Sequence, residues 1–292
     1  MKQKIGFIGL GLMGFAMARR LQQTGYPLVV YNRTAKKARE LVKAGASLEK
    51  SPAGVAEHAD LVFSAVSTSD VLREVALGEK GILSGLREDA IHVDCSTVSP
   101  ALTSELARKY SESRRWFLHC PVLGSVPQAS EGSLLMLAGG DPRALERATE
   151  LLKVLGNKVW KFDRVDQASH AKLLCNSFIA GMIVTLAQAI AFAGRVGVSP
   201  ETILEIIGNS TLNAPTYQTK GRSIIGRNFT PRFYTEHMLK DINLIVDSAR
   251  RAGSSVPGIQ VAQQLFSQAV RLGYGKEDYS SIIKVLELQN PL

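Results

Sequence analysis

Lys172 and Asn176 are the residues of this chain best suited to chemistry by type and spacing. They stand four apart within the otherwise apolar stretch 171–180, and on a helix that spacing puts both side chains on one face, one turn apart. An ammonium among apolar neighbours is costly to bury. Desolvation lowers a lysine's pKa and makes it a usable proton donor near neutral pH. Lys172 would then donate to a substrate oxygen that Asn176 helps to hold. The same two residues also suit a plainer arrangement, a lysine snorkelling from a helix edge and a core asparagine bonded to backbone.

A second group lies at the start of the chain. Gly9-Leu10-Gly11-Leu12-Met13-Gly14 reads G-x-G-x-x-G, directly after the apolar run 4–8 and at the opening of a helix-period stretch. Gly9 permits a tight turn, Gly11 lets the backbone approach a pyrophosphate, and Gly14 allows close helix–strand packing. The N–H groups at the helix start, around Leu12 and Met13, favour a negative charge. The next predicted strand ends in Tyr31-Asn32-Arg33-Thr34, with no carboxylate to accept from a ribose 2′-hydroxyl. Arg33 offers a planar fork to a 2′-phosphate instead, and Asn32 and Thr34 add neutral hydrogen bonds. This pattern predicts NADP(H) as cofactor. A solvated basic face is the alternative for Arg33, Lys36 and Lys37.

Three further segments are less specific. Asp94-Cys95-Ser96-Thr97-Val98-Ser99-Pro100 ends a predicted strand and offers hydroxyls either to a ligand or to a helix N-terminus. Pro121-Val122-Leu123-Gly124-Ser125 follows another strand and is able to present backbone N–H groups to an oxygen, or simply to connect two elements. Lys240-Asp241 reads first as a solvated ion pair. His119, His170 and His237 have no metal-like spacing, so no metal is expected.

These residues need elements to position them. Apolar runs at 4–8, 28–31, 61–66, 91–94, 116–119, 134–138 and 158–161 predict strands, with helical segments between most of them. Strand alternating with helix implies a doubly wound, mainly parallel sheet. Beyond residue 163 the strands stop. Residues 167–196 predict one helix about 45 Å long, and shorter helices follow at 200–207, 235–251, 258–272 and 279–287, with Ser199 as an N-cap. The expected organisation is a nucleotide-binding α/β domain over 1–163 and an all-α domain over 164–292, joined by the long helix.

Composition narrows the setting. The 292 residues are 45% hydrophobic and 21% charged, which excludes a disordered chain or a disulfide-stapled miniprotein. Eight of the nine excess positive charges lie in residues 1–50, where ten Lys/Arg face only Glu40 and Glu49. Such local charge suits a small anion held in one place better than nucleic acid. Three cysteines without a short pair spacing, and an N-terminus that reaches its glycine turn too early for a signal peptide, predict a cytoplasmic protein. Polar residues interrupt the apolar stretch 173–196, which is expected to be a buried helix and not a membrane span.

Taken together, these motifs resemble the β-hydroxyacid dehydrogenases, the family of 3-hydroxyisobutyrate dehydrogenase, tartronate semialdehyde reductase and the glyoxylate/succinic semialdehyde reductases. The resemblance rests on FIGLGLMG from Phe7, DCSTVSP from Asp94, PVLG from Pro121 with EGSLLMLAGGD behind it, AKLLCN from Ala171 and FYTEHMLKD from Phe233. The Asn32-Arg33-Thr34 segment is similar to that of the NADPH-using semialdehyde reductases. The resemblance implies a Rossmann domain followed by a helical domain, with dimers or tetramers built through the latter. It implies Lys172 as general acid/base, Asn176 as a substrate-positioning residue, Ser96 and Thr97 lining the substrate or nicotinamide site, Phe233 and Lys240 flanking the cofactor, and Asp241 near the active centre.

Two positions depart from the family pattern. Leu123 stands where the family loop carries a serine that contacts the substrate, leaving the N–H groups of Gly124 and Ser125. Asp166-Gln167-Ala168-Ser169-His170 replaces a glycine-rich approach to the lysine. The expected activity is NADPH-dependent reduction of a small aldehyde or keto acid, of the glyoxylate or succinic semialdehyde kind. Imine reduction on the same scaffold is the alternative, favoured by Leu123 and opposed by Lys172, and a non-catalytic NADP-binding module is a third reading.

Overall fold

The protein is described here by a computed structural model over residues 2–289. The apolar runs form β1 (Ile5–Ile8), β2 (Leu28–Tyr31), β4 (Leu61–Ser64), β5 (Ile91–Asp94) and β6 (Trp116–His119), with the two-residue β3 (Ser47–Leu48) beside β2. All of these pair in parallel in the order β3-β2-β1-β4-β5-β6. The central strands are buried along their length, as expected when helices cover both faces of a sheet. Successive strands run outward from β1 on one side and from β4 on the other. The crevice beyond the carboxyl ends of these two strands is where such sheets bind ligands.

The sheet is mainly parallel, as the sequence pattern predicts, with one antiparallel excursion. After β6 come β7 (Val122–Leu123), β8 (Leu134–Gly139) and β9 (Gly156–Phe162). β8 runs antiparallel to β6 and β7, and β9 runs parallel to β8. The link from β7 to β8 holds only the short helix Val126–Glu131, and it is too short for the crossover a parallel pair requires. The basic segment after β2 begins as a 3-10 turn, Ala35–Ala38, before one turn of α-helix, Arg39–Lys43.

The helix Val165–Arg195 leaves the sheet and runs through the boundary between two compact units, one ending at Lys172 and one beginning at Leu173. Its length and apolarity are sufficient to cross a membrane. In the second unit, however, Ala180, Ile183, Leu186 and Ala187 of this helix lie in a core with Met238, Ile242 and Phe266. Around them stand the helices Pro200–Gly208, Pro215–Ile225, Thr235–Arg251, Pro257–Arg271 and Ile283–Gln289. The Ser199 hydroxyl accepts from Thr202 N at 3.1 Å, as its N-cap position predicts. Pro215–Ile225 was not apparent from apolar spacing. It packs closely on Pro200–Gly208: a Cβ on Gly221 would meet Leu204 Cδ1 at 2.5 Å, so a larger residue there would force that side chain to shift.

Candidate active site

The glycine turn is built as its sequence requires. Gly9 has φ +91°, and a Cβ there would meet Ala65 O at 2.3 Å. A Cβ on Gly14 would strike Gly9 O at 1.9 Å, so glycine is what allows the helix Leu12–Gln23 to start hard against the strand exit. Gly11, by contrast, has open space around its would-be Cβ. It caps a helix whose first turn carries no acidic residue and which ends its N-terminal backbone in solvent-facing positions at Gly11 and Leu12. These features fit the pyrophosphate of a dinucleotide: N–H donors, no competing carboxylate, and room where the ligand backbone must approach.

Asn32 has a more internal task than its position alone suggests. Its Oδ1 accepts from Leu10 N at 2.8 Å, and its Nδ2 donates to Thr34 O at 2.9 Å. It therefore ties the glycine turn to the end of β2 and sets the turn's shape. Arg33 and Thr34 are exposed beside it, followed by the exposed Lys36 and Lys37.

At the carboxyl ends of β4, β5 and β6 the parallel register sets Ser64, Asp94 and His119 abreast. All three are fully buried. Ser64 Oγ donates to Asp94 Oδ1 at 2.7 Å and lies 2.8 Å from His92 Nε2, while His92 Nδ1 lies 2.8 Å from Tyr110 Oη. His119 Nδ1 is 3.2 Å from Asp94 Oδ2. Burial works to raise the Asp94 pKa, but His119, His92 and the Ser64 hydroxyl outweigh it and hold the carboxyl below its ordinary value. Burial drives His92 down to about 4, against the pull of Asp94, so this ring is neutral at physiological pH. A single proton arrangement then satisfies the chain: Tyr110 O–H donates to His92 Nδ1, His92 Nε2–H donates to Ser64, and Ser64 donates to Asp94.

This network extends to the loops after β4 and β5 through Ser96. Its Oγ donates to Asp94 Oδ1 at 2.7 Å and accepts from Val66 N at 2.8 Å. Ser96 is buried, and its hydroxyl is engaged within the protein as a clasp between the loops leaving β4 and β5. Thr97 beside it is half-buried. Ser99 occupies the N-cap of the helix Pro100–Glu112 without bonding it through its side chain. Among the loop residues after β6, Leu123 is half-buried in β7 and Gly124 takes φ +130°. Ser125 N and Oγ both donate to Gln128 Oε1, at 3.0 and 2.8 Å, so that N–H is already taken.

The helical unit holds the second polar cluster. Asn176 and Asp241, each within a few per cent of complete burial, meet across two helices, with Asn176 Nδ2 donating to Asp241 Oδ2 at 2.7 Å. Lys240 Nζ lies 2.7 Å from Asp241 Oδ1. The Lys240–Asp241 pair is thus not the solvated one that adjacency predicts, since the Asp241 side chain is only 2% exposed. Asn176 is held by a carboxylate rather than by backbone, and its Oδ1 is buried without a hydrogen-bond partner among the described residues. Lys172, four residues earlier on the same helix, is half-buried. Phe233 precedes the helix Thr235–Arg251 and packs edge-on against Tyr279, with ring centroids 5.9 Å apart.

Spacing alone missed Ser64, His92 and His119. The available signal was polar residues at alternate positions within apolar strands, as at His92 and Asp94. Among the described residues no three His, Cys, Asp or Glu are grouped to hold a metal.

A sheet in this strand order, a glycine turn at the exit of β1 and a helical unit beyond define a dinucleotide-dependent oxidoreductase. Comparison with known proteins agrees. Residues 4–163 match the model of the NAD binding domain of 6-phosphogluconate dehydrogenase, and residues 167–286 match that of the NAD-binding region of NADP-dependent 3-hydroxyisobutyrate dehydrogenase. The chain belongs to the β-hydroxyacid dehydrogenase family, of 3-hydroxyisobutyrate dehydrogenase type. It is 31% identical to glyoxylate/succinic semialdehyde reductase 2 of Arabidopsis thaliana, covering 97% of this chain and 79% of that protein. It is 34% identical to a probable 3-hydroxyisobutyrate dehydrogenase-like protein of the same plant, covering 98% and 86%. The crystal structure of 3-hydroxyisobutyrate dehydrogenase from Salmonella typhimurium has the same fold, with TM-score 0.90 at 24% identity over 97% of this chain and all of that one.

Proposed function

We propose that this protein is an NADPH-dependent reductase of a small aldehyde or keto acid, of the glyoxylate or succinic semialdehyde kind, with Lys172 as general acid. The observation that carries the reading is the Asn176–Asp241 bond. It fixes an amide one turn along the helix from Lys172 and leaves the amide oxygen available as an acceptor. When bound, the nicotinamide supplies the hydride. Lys172 gives its proton to the substrate oxygen, a contribution of about 10²–10⁴ in rate for a positioned acid. Asn176 orients the substrate.

NADP(H) is preferred over NAD(H) because Arg33 follows β2 where an NAD-specific site carries a carboxylate. Gly9, Gly11, Leu12, Met13 and Gly14 hold the pyrophosphate, and Phe233 and Lys240 flank the cofactor. A second copy covers the long helix, which leaves Leu174, Phe178 and Phe192 exposed, with Val196 exposed just beyond its end. Three free thiols, Cys95, Cys120 and Cys175, suit a cytoplasmic setting.

The test is NADPH and NADH oxidation, in parallel, with glyoxylate, succinic semialdehyde and a cyclic imine. Carbonyl turnover with NADPH is expected. Lys172→Ala should abolish it while NADPH still binds. Turnover that survives Lys172→Ala removes the lysine from its role, and turnover confined to the imine replaces the carbonyl reading with C=N reduction.

A further inference from the structure

The most deeply buried ion pair among the described residues of the helical unit lies outside the cluster just described. Lys220, on the helix Pro215–Ile225, points its Nζ at both carboxylate oxygens of Asp278, at 2.7 and 2.9 Å. Both side chains are at least nine-tenths buried. The ammonium also sits 4.3 Å above the Tyr279 ring. A buried pair of this kind adds little net stability over an apolar replacement, so its presence calls for another reason.

The remaining bonds of Asp278 supply one. Its Oδ2 accepts from Arg232 N at 3.1 Å and from Phe233 N at 3.4 Å. Its Oδ1 accepts from Ser280 N and Ser280 Oγ, at 3.1 and 2.8 Å. The backbone continues the same stitching: Asp278 N donates to Phe229 O, Tyr279 N to Phe233 O and Thr235 N to Glu277 O. Thr235 is the first residue of the helix that carries Lys240 and Asp241. That helix has no side-chain cap of its own at Tyr234, so its start is set from outside, by the 277–281 segment. The Phe233 ring is then fixed between Tyr279 and His237, with centroids 5.9 and 6.1 Å away.

We propose that Lys220 and Asp278 are positioning residues for cofactor binding, a buried clamp that holds the Phe233 loop and the start of the Lys240 helix in the geometry that receives NADPH. Neither residue touches the reacting atoms. Lys220 neutralises and orients Asp278, and Asp278 holds the backbone N–H groups of Arg232 and Phe233. This inference rests on the assignment of Phe233 and Lys240 to the cofactor.

The experiment measures NADPH affinity by fluorescence titration, and KM and kcat where a substrate is in hand, for the full-length wild type and for Lys220→Met, Asp278→Asn, the double variant and Phe233→Ala. Circular dichroism and thermal melting report folding. Lys220→Met and Asp278→Asn should each weaken NADPH binding by about 10–100-fold, the scale of losing a charged hydrogen bond to the loop, with kcat little changed. The double variant should be no worse than the poorer single one, because the two act as a unit. Lys220→Arg, which keeps the charge, should recover part of the affinity, and the near-isosteric Asp278→Asn serves as the folded probe should Lys220→Met not fold. The clamp is overturned if folded Lys220→Met, or Asp278→Asn in its place, binds NADPH as wild type does while Phe233→Ala binds it poorly. Wild-type affinity in Phe233→Ala overturns both the clamp and the assignment of Phe233 to the cofactor.

Discussion

Asn176 Nδ2 donates to Asp241 Oδ2 across 2.7 Å of buried space, and this bond decides which end of the amide remains available. A carboxylate only accepts, so the NH₂ must face it and the oxygen must turn away. Lys240 Nζ lies 2.7 Å from the other carboxylate oxygen, so both oxygens of Asp241 face donors.

Removing that anchor has a direct consequence. Asp241→Ala leaves the Asn176 amide without its buried acceptor, at a cost of about 1–3 kcal/mol. Turnover should fall by about 10–100-fold. Asn176→Ala should add little in the Asp241→Ala background, since both changes break one interaction. Steady-state kinetics on the two single variants and the double variant measure this coupling.

Arg33 should set the choice of dinucleotide. Arg33→Ala removes charged hydrogen bonds to a 2′-phosphate, each worth about 1.5–3 kcal/mol. The ratio of kcat/KM for NADPH to that for NADH should drop by about 10–100-fold, almost entirely through the NADPH value. An unchanged ratio would assign Arg33 to the solvated basic face.

Gly14 and Gly11 should answer differently from one another in stability and binding. Gly14→Ala drives a Cβ toward Gly9 O and should destabilise the fold by about 1–3 kcal/mol. Gly11→Ala meets nothing in the folded protein and should leave stability within about 1 kcal/mol of wild type. Its methyl group stands where a pyrophosphate must approach, so NADPH affinity should nonetheless fall, on the order of tenfold for a displaced hydrogen bond. Denaturant unfolding and NADPH titration separate the two effects.

Acid should find the buried histidine. His92 has its ordinary value of 6.5 in the unfolded chain and about 4 in the folded one. Between these values the unfolded chain binds a proton that the folded chain refuses, so stability is full above pH 6.5 and declines as pH falls toward 4. The penalty reaches about 2 kcal/mol at pH 5. His237, also lowered by burial, acts in the same direction. His92→Gln should therefore reduce the slope of stability against pH between 6.5 and 5 without abolishing it, as read from denaturant midpoints at each pH.

Local pattern was enough for much of this protein. The run Ile5–Ile8 followed by Gly9, Gly11 and Gly14 carries its own strand, turn and helix start, because each glycine answers a steric demand within a few residues or across one strand pair. The helix Thr235–Arg251 falls where apolar spacing puts it, and Val165–Arg195 begins two residues before its expected start. What spacing misses is short or non-local. β3 and β7 hold two residues each, too few for any periodicity to register, and they exist only because a longer strand pairs with them.

The sequence by itself determined that a glycine turn opens a doubly wound sheet and that Lys172 and Asn176 share one helical face. Only the tertiary structure decided which polar groups meet. Asp94 and His119 lie on different strands, Asn176 and Asp241 sixty-five positions apart, and Lys220 and Asp278 fifty-eight apart. Hydrogen bonds and ion pairs act over about 3 Å, whereas helix and strand periodicities reach only a few residues along the chain. Strand register and helix packing bring such partners into range.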